Sequence, residues 1–281
     1  MKYFFLLSLL FTFQFSFSQD DLLSEIDSTT TVNQKVTSAF KAMKIVNLES
    51  TKIAAKGDLY LVIAHRFGSI KEDIEGFFGL DNAITQIKFI YGVGEGLSLG
   101  AGRSEQAYDF SAKYMIKSQM ENGFPVTIVG FNSLGFNNLL KQSNYPKMTF
   151  KNRATYVNQV LISRKFSEKL SLQLAPTYFH ENFVLNELQK NSQYAIGLGG
   201  RYKLSKRVSL NMDYAAHLNR VSSSVYNNPL SVGIDIETGG HVFQMHFTNS
   251  QGIHEAGFLG NSTGDWAKGD VFFGFNLVRV F

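Results

Sequence analysis

Residues 231–248 read "SVGIDIETGGHVFQMHFT". Gly239 and Gly240 suit a two-residue turn, because glycine accepts the positive φ angles that tight hairpins need. With the turn placed there, Ile236 faces Phe243, Ile234 faces Met245 and Val232 faces Phe247. On the other side Asp235 faces Gln244, Gly233 faces His246 and Ser231 faces Thr248. Apolar meets apolar and polar meets polar along the whole hairpin, as a single antiparallel register between two unlike environments requires.

The same period-two alternation runs outward from this hairpin. About twelve segments read as strands: 58–67, 83–92, 97–103, 107–117, 124–131, 153–166, 170–179, 193–203, 207–217, 230–238, 241–248 and 271–281. In 107–117, Tyr108, Phe110, Tyr114 and Ile116 oppose Asp109, Ser111, Lys113 and Lys117. In 193–203, Tyr194, Ile196, Leu198 and Tyr202 oppose Gln193, Gly197, Gly199 and Arg201. A soluble β-sandwich would also alternate, so the connections decide. Those at 93–96, 118–123, 167–169, 204–206 and 239–240 are short, and those at 68–82, 132–152, 180–192, 218–229 and 249–270 are long. Short and long take turns, with one exception at Ser104 to Gln106. Outer-membrane barrels have this arrangement, with short periplasmic turns, long outer loops and strands of roughly 9–11 residues. The expected fold is all-β: a transmembrane antiparallel up-and-down β-barrel over 58–281, with both termini periplasmic because the strand number is even.

The last predicted strand, "VFFGFNLVRVF" at 271–281, places Phe273, Phe275, Leu277 and Phe281 on one apolar face with Val271. Such a strand must close against the first, and its lipid side must stay apolar. It resembles the C-terminal assembly signal read by the barrel assembly machinery. Arg279 departs from that pattern, and its long stem suits the periplasmic edge, where the head reaches polar groups.

Composition agrees with this fold. The chain has 26 Phe and 12 Tyr, residues that favour strands. A mean hydropathy of −0.07 does not describe a bundle of membrane helices. Cysteine is absent, which excludes disulfides, thiolate metal sites and cysteine nucleophiles. Residues 1–18 read as a signal peptide: Lys2, an apolar run from Tyr3 to Phe17, and a small-x-small site at Ser16 and Ser18 ahead of Asp20 and Asp21. Cleavage after Ser18 leaves 26 basic and 23 acidic residues, a net of +3, too weak and dispersed for a nucleic-acid partner.

"HRFG" at His65–Gly68, "FGLDNA" at Phe78–Ala83, "GGHVFQMHFTNS" at Gly239–Ser250 and "GFNLVRVF" at Gly274–Phe281 resemble a Bacteroidota outer-membrane β-barrel family, a domain of unknown function numbered 5777. The resemblance covers nearly the whole mature chain. It implies a barrel in the outer membrane, surrounded by outer-membrane lipid, and it implies no activity.

No catalytic, cofactor or metal-binding set emerges from the residues. His241 and His246 lie five apart on one strand and point to opposite faces. Ser209, Asp213 and His217 share a face but successive members lie about 13 Å apart, too far for one triad. The charges predicted to face the lumen are Arg66, Lys88, Asp109, Lys113, Lys117, Arg201, Lys203, Asp213, Asp235 and Glu237, with His246 beside them. Either they pair across a closed interior, or they line a polar path. Six bases against four acids predict a mild anion preference. Residues 19–57 stand apart as a periplasmic segment, in the form of a short helix, an extra strand or a plug entering the barrel. The function these features favour is a narrow pore or transporter for a small solute. The alternatives are a closed structural or loop-mediated interaction barrel and an outer-membrane lipid-modifying enzyme.

Overall fold

The computed structural model describes residues 34–72, 79–184, 186, 187 and 189–281. The predicted signal peptide and Phe78 of the "FGLDNA" motif lie outside them. The strands are β1 (Leu59–Ser69), β2 (Ile84–Gly94), β3 (Leu97–Ser104), β4 (Ala107–Lys117), β5 (Thr127–Asn137), β6 (Ala154–Lys165), β7 (Leu170–Glu181), β8 (Ser192–Lys203), β9 (Val208–His217), β10 (Leu230–Thr238), β11 (His241–Thr248) and β12 (Phe272–Val280). Each pairs antiparallel with its sequence neighbours, and β12 pairs with β1, so the sheet closes into a barrel. The hairpin of β10 and β11 has the register its sequence dictates, from Ser231 opposite Thr248 to Thr238 opposite His241, and Gly239 turns it with φ 57°.

Alternation separates two environments. On β2, Ile87 and Phe89 are 48% and 50% exposed on the outer wall, while Gln86 and Lys88 are 3% exposed on the inner one. Closure leaves no sheet edge, so every ladder group finds a partner where lipid offers none. The inner face is polar on most strands, and the space it encloses is filled. Residues 39–54 occupy it from the short-turn end. A one-and-a-half-turn helix, α1 (Glu255–Gly260), descends from the 249–271 loop at the other end, with all six residues buried. Leu48 packs with Ala256, Phe258 and Leu259 of that helix and with Val157, Phe179, Ala195 and Ala215 of the wall.

Two local differences from the sequence reading have physical causes. Strand β5 runs over Thr127–Asn137 rather than 124–131. Pro125 has no N–H to give a ladder, which delays the start. Beyond Phe131 the alternation persists, with Gly135 buried inward and Leu134 and Phe136 outward, so pairing with β4 and β6 continues. In β4 the register slips between Met115 and Lys117. This bulge reverses the parity, as an inserted residue must. Lys117 therefore stands exposed over the Phe124 ring and does not face the lumen.

Candidate functional site

The N-terminal segment enters beside the β4–β5 turn, where Val36 N–H donates to the Gln119 carbonyl (3.0 Å). It climbs, reverses at residues 44–49 and returns to β1. Ile45 N–H donates to Leu48 O (2.8 Å) and Ser50 N–H to Met43 O (2.9 Å), which makes the reversal a compact tip. That tip is held by polar groups from around the barrel. Asp213 on β9 takes three backbone N–H donors on one carboxylate oxygen, from Val46 (3.0 Å), Asn47 (2.7 Å) and Leu48 (2.8 Å). Asn47 donates to Ser231 and Thr248, each at 3.0 Å, and accepts from the Arg66 guanidinium at 2.9 Å. Arg66 also donates to Asn276 (2.9 Å), which donates to Val46 O (3.2 Å). Gln244 bridges Ile45 O (3.0 Å) and Asp235 (2.9 Å).

Charges flank the tip in a connected set. Glu49 lies 3.0 Å from Lys44 and 2.7 Å from Lys113, and Lys44 reaches Glu255 of α1 at 2.7 Å. Nearby, Lys88 pairs with Asp109 at 2.8 Å, and Gln86 donates to the same carboxylate at 2.7 Å. Burial by itself would push the Glu49 carboxyl up. Lys113, Lys44 and Lys88 outweigh it and hold the group well below the usual carboxylate range. Burial likewise opposes charge on Lys44, yet Glu255 and Glu49 raise its pKa. Arg220, in the loop after β9, donates to the Gly260 and Leu259 carbonyls at the C-terminus of α1, where a cation suits the exposed carbonyls.

Of the residues predicted to face the lumen, Arg66, Lys88, Asp109, Lys113, Arg201, Asp213, Asp235 and His246 are buried on the inner wall. Lys203 and Glu237 are half-buried at the short-turn mouth, and Glu237 pairs with Arg201. Lys117 is outside. The buried wall also includes Glu181, which the sequence reading missed. It therefore carries four bases, Arg66, Lys88, Lys113 and Arg201, against four acids, Asp109, Glu181, Asp213 and Asp235. The excess of bases behind the expected anion preference disappears. The hydrolase geometry does not assemble either: Ser209 bonds Arg201, Asp213 holds the tip, and His217 bonds Gln193.

Also missed were Lys44, Glu49, Asn47 and Glu255, the groups that join the filling to the wall. A signal for them existed. Gly197 and Gly199 face inward on β8, where a Cβ at Gly199 would lie 2.3 Å from Ile45 Cδ1 and one at Gly197 2.8 Å from Leu48 Cδ1. Successive inward glycines mark close approach by another part of the chain.

A closed barrel of twelve antiparallel strands, apolar outside and polar within, is a membrane-spanning β-barrel. The chain belongs to the family described as "Membrane bound beta barrel domain (DUF5777)", whose model matches residues 40–281. That match takes in most of the segment inside the lumen as well as the wall. Among solved structures, the KdgM porin is similar, with a TM-score of 0.50, 10% identity, and 79% of this chain and 99% of that chain covered. The KdgM porin in complex with disordered oligogalacturonate gives 0.51, 10%, 79% and 99%. The NanC porin gives 0.48, 11%, 79% and 98%. At such identities the likeness is one of fold. No curated protein matches the sequence.

Proposed function

We propose that the protein is a gated narrow pore of the outer membrane, seen closed, with both termini on the periplasmic side. The observation that carries this reading is the way the tip is held. Asp213 and Arg66 bind backbone and amide groups of residues 46–48 through hydrogen bonds that water can replace, beside the apolar patch on which Leu48 packs. The outer-membrane location accords with the porin fold and the family's membrane-bound barrel. Small polar solutes suit a lumen whose buried wall charges balance, with little preference between anions and cations.

The test is single-channel recording of the purified protein in planar bilayers, compared with a variant lacking residues 20–54. The full chain should be mostly closed. The shortened one should conduct, with a reversal potential near zero in a salt gradient. Two silent proteins, both folded by heat-dependent gel shift, would refute the pore and favour a closed interaction barrel.

A further inference from the structure

Asn132 is the central residue of the 11-residue β5, and its side chain faces the lipid. It donates to the Asn158 carboxamide on β6 at 2.6 Å, and Asn158 is also outward-facing and exposed. Ala112 of β4 lies opposite Asn132 in the same row, and its small side chain opens a shallow cleft of about 430 Å³ walled by Phe110, Leu134 and Tyr156. Elsewhere, among the described residues, the middle of the outer wall is apolar or aromatic. The other outward hydrogen-bonded pairs, His65 with Thr85 and His180 with Ser192, lie near the long-loop rim, at the second residue of β2 and the first of β8.

We infer that this cleft is the contact through which two copies of the chain associate in the membrane. The single bond between the asparagines uses one N–H and one oxygen. It leaves an N–H and the oxygen of Asn132 and both N–H groups of Asn158 facing hydrocarbon. Acyl chains offer no partner, and lipid headgroups stay at the membrane surface, so unpaired amides here are costly. A carboxamide pair is complementary to itself. Under a two-fold rotation, Asn158 N–H of one copy meets Asn132 Oδ1 of the other, which is the geometry of an isologous dimer. The small Ala112 lets the two walls approach closely, as small residues do in membrane interfaces.

The natural chain has no cysteine, so single cysteines report contacts cleanly. Ala112→Cys and, on β11 across the barrel, Met245→Cys are each oxidised in native membranes. Ala112→Cys should give an adduct of twice the monomer mass, and Met245→Cys should give none. In detergent, light scattering on Asn132→Leu/Asn158→Leu should show association about tenfold weaker than for the natural chain, a loss of two to three modest hydrogen bonds. The heat-dependent gel shift confirms that each variant is folded. Equal cross-linking at both positions, no adduct or one of some other mass at Ala112→Cys, or a natural chain that is monomeric by light scattering would each overturn the proposal.

Discussion

The Lys44 ammonium lies 2.7 Å from the Glu255 carboxylate, and these two residues come from opposite ends of the barrel. Lys44 is on the segment that rises from the short turns, and Glu255 begins the helix that descends from a long loop. Both are almost fully buried. The helix of the long loop and the N-terminal segment are thereby joined by an ion pair as well as by the packing of Leu48.

Breaking that pair should loosen both elements. Removing one partner from a buried pair leaves the other charge unpaired and typically costs about 3–5 kcal/mol. Glu255→Gln is expected to raise the open probability in single-channel records well above that of the natural protein. Lys44→Met should do the same and should also free Glu49 from one of its two cations. Records indistinguishable from the natural protein would show that the pair does not hold the closed arrangement.

The closed arrangement should resist mild acid. Glu49 has a folded pKa below its unfolded value, so its contribution is present above the ordinary carboxylate range and is lost only as pH falls through the depressed value. Lowering the pH from about 7 to about 5 therefore leaves Glu49 charged, and conductance should stay low. Glu49→Gln removes the charge at every pH and should open the pore at both. A natural protein that opens sharply between those values would place the controlling group elsewhere.

Gly199 tests the fit of the tip. Valine there drives a methyl-bearing side chain into Ile45, whose Cδ1 already lies within 2.3 Å of the Cβ position. The strand itself tolerates valine well, so the barrel should assemble while the tip is displaced. Gly199→Val is expected to raise conductance, and adding Ile45→Ala should restore closure, because the two changes share one space and do not add. Failure of the second change to compensate would separate Gly199 from the tip.

How much of this was legible in the sequence differs by level. The barrel was, because a period of two, the turn at Gly239 and Gly240 and the alternating connections are local properties that closure does not alter. Strand β5 was cut short because Ser133, Gly135 and Asn137 resemble a loop until Leu134 and Phe136 are counted as its outer face. Lys117 was misplaced because a single-residue bulge is invisible to a parity count. The wall charges were legible as inward but not as partners. Lys44 with Glu255, and Asp213 with the 46–48 backbone, join residues more than 160 apart in sequence. A plug was one of the forms open to residues 19–57, and the inward glycines of β8 were a further hint that something lay inside.

Phe281 closes the ladder in a way that separates two roles. Its N–H donates to Leu59 O at 2.9 Å, and Leu59 N–H donates back at 3.3 Å, so its backbone completes the seam between β12 and β1. Its ring is 60% exposed and lies 4.5 Å from the Arg279 guanidinium. An exposed contact of that kind is worth only about 0.5–1 kcal/mol. Phe281→Ala keeps the backbone pair and loses the ring. If the ring serves recognition by the assembly machinery, as the apolar face of Phe273, Phe275 and Leu277 suggests, refolding into detergent should be nearly unchanged while the assembled fraction in cells falls several-fold. Both fractions are read by the heat-dependent gel shift. An equal fall in detergent and in cells would assign the ring to barrel stability, and no fall in either would remove Phe281 from the assembly signal.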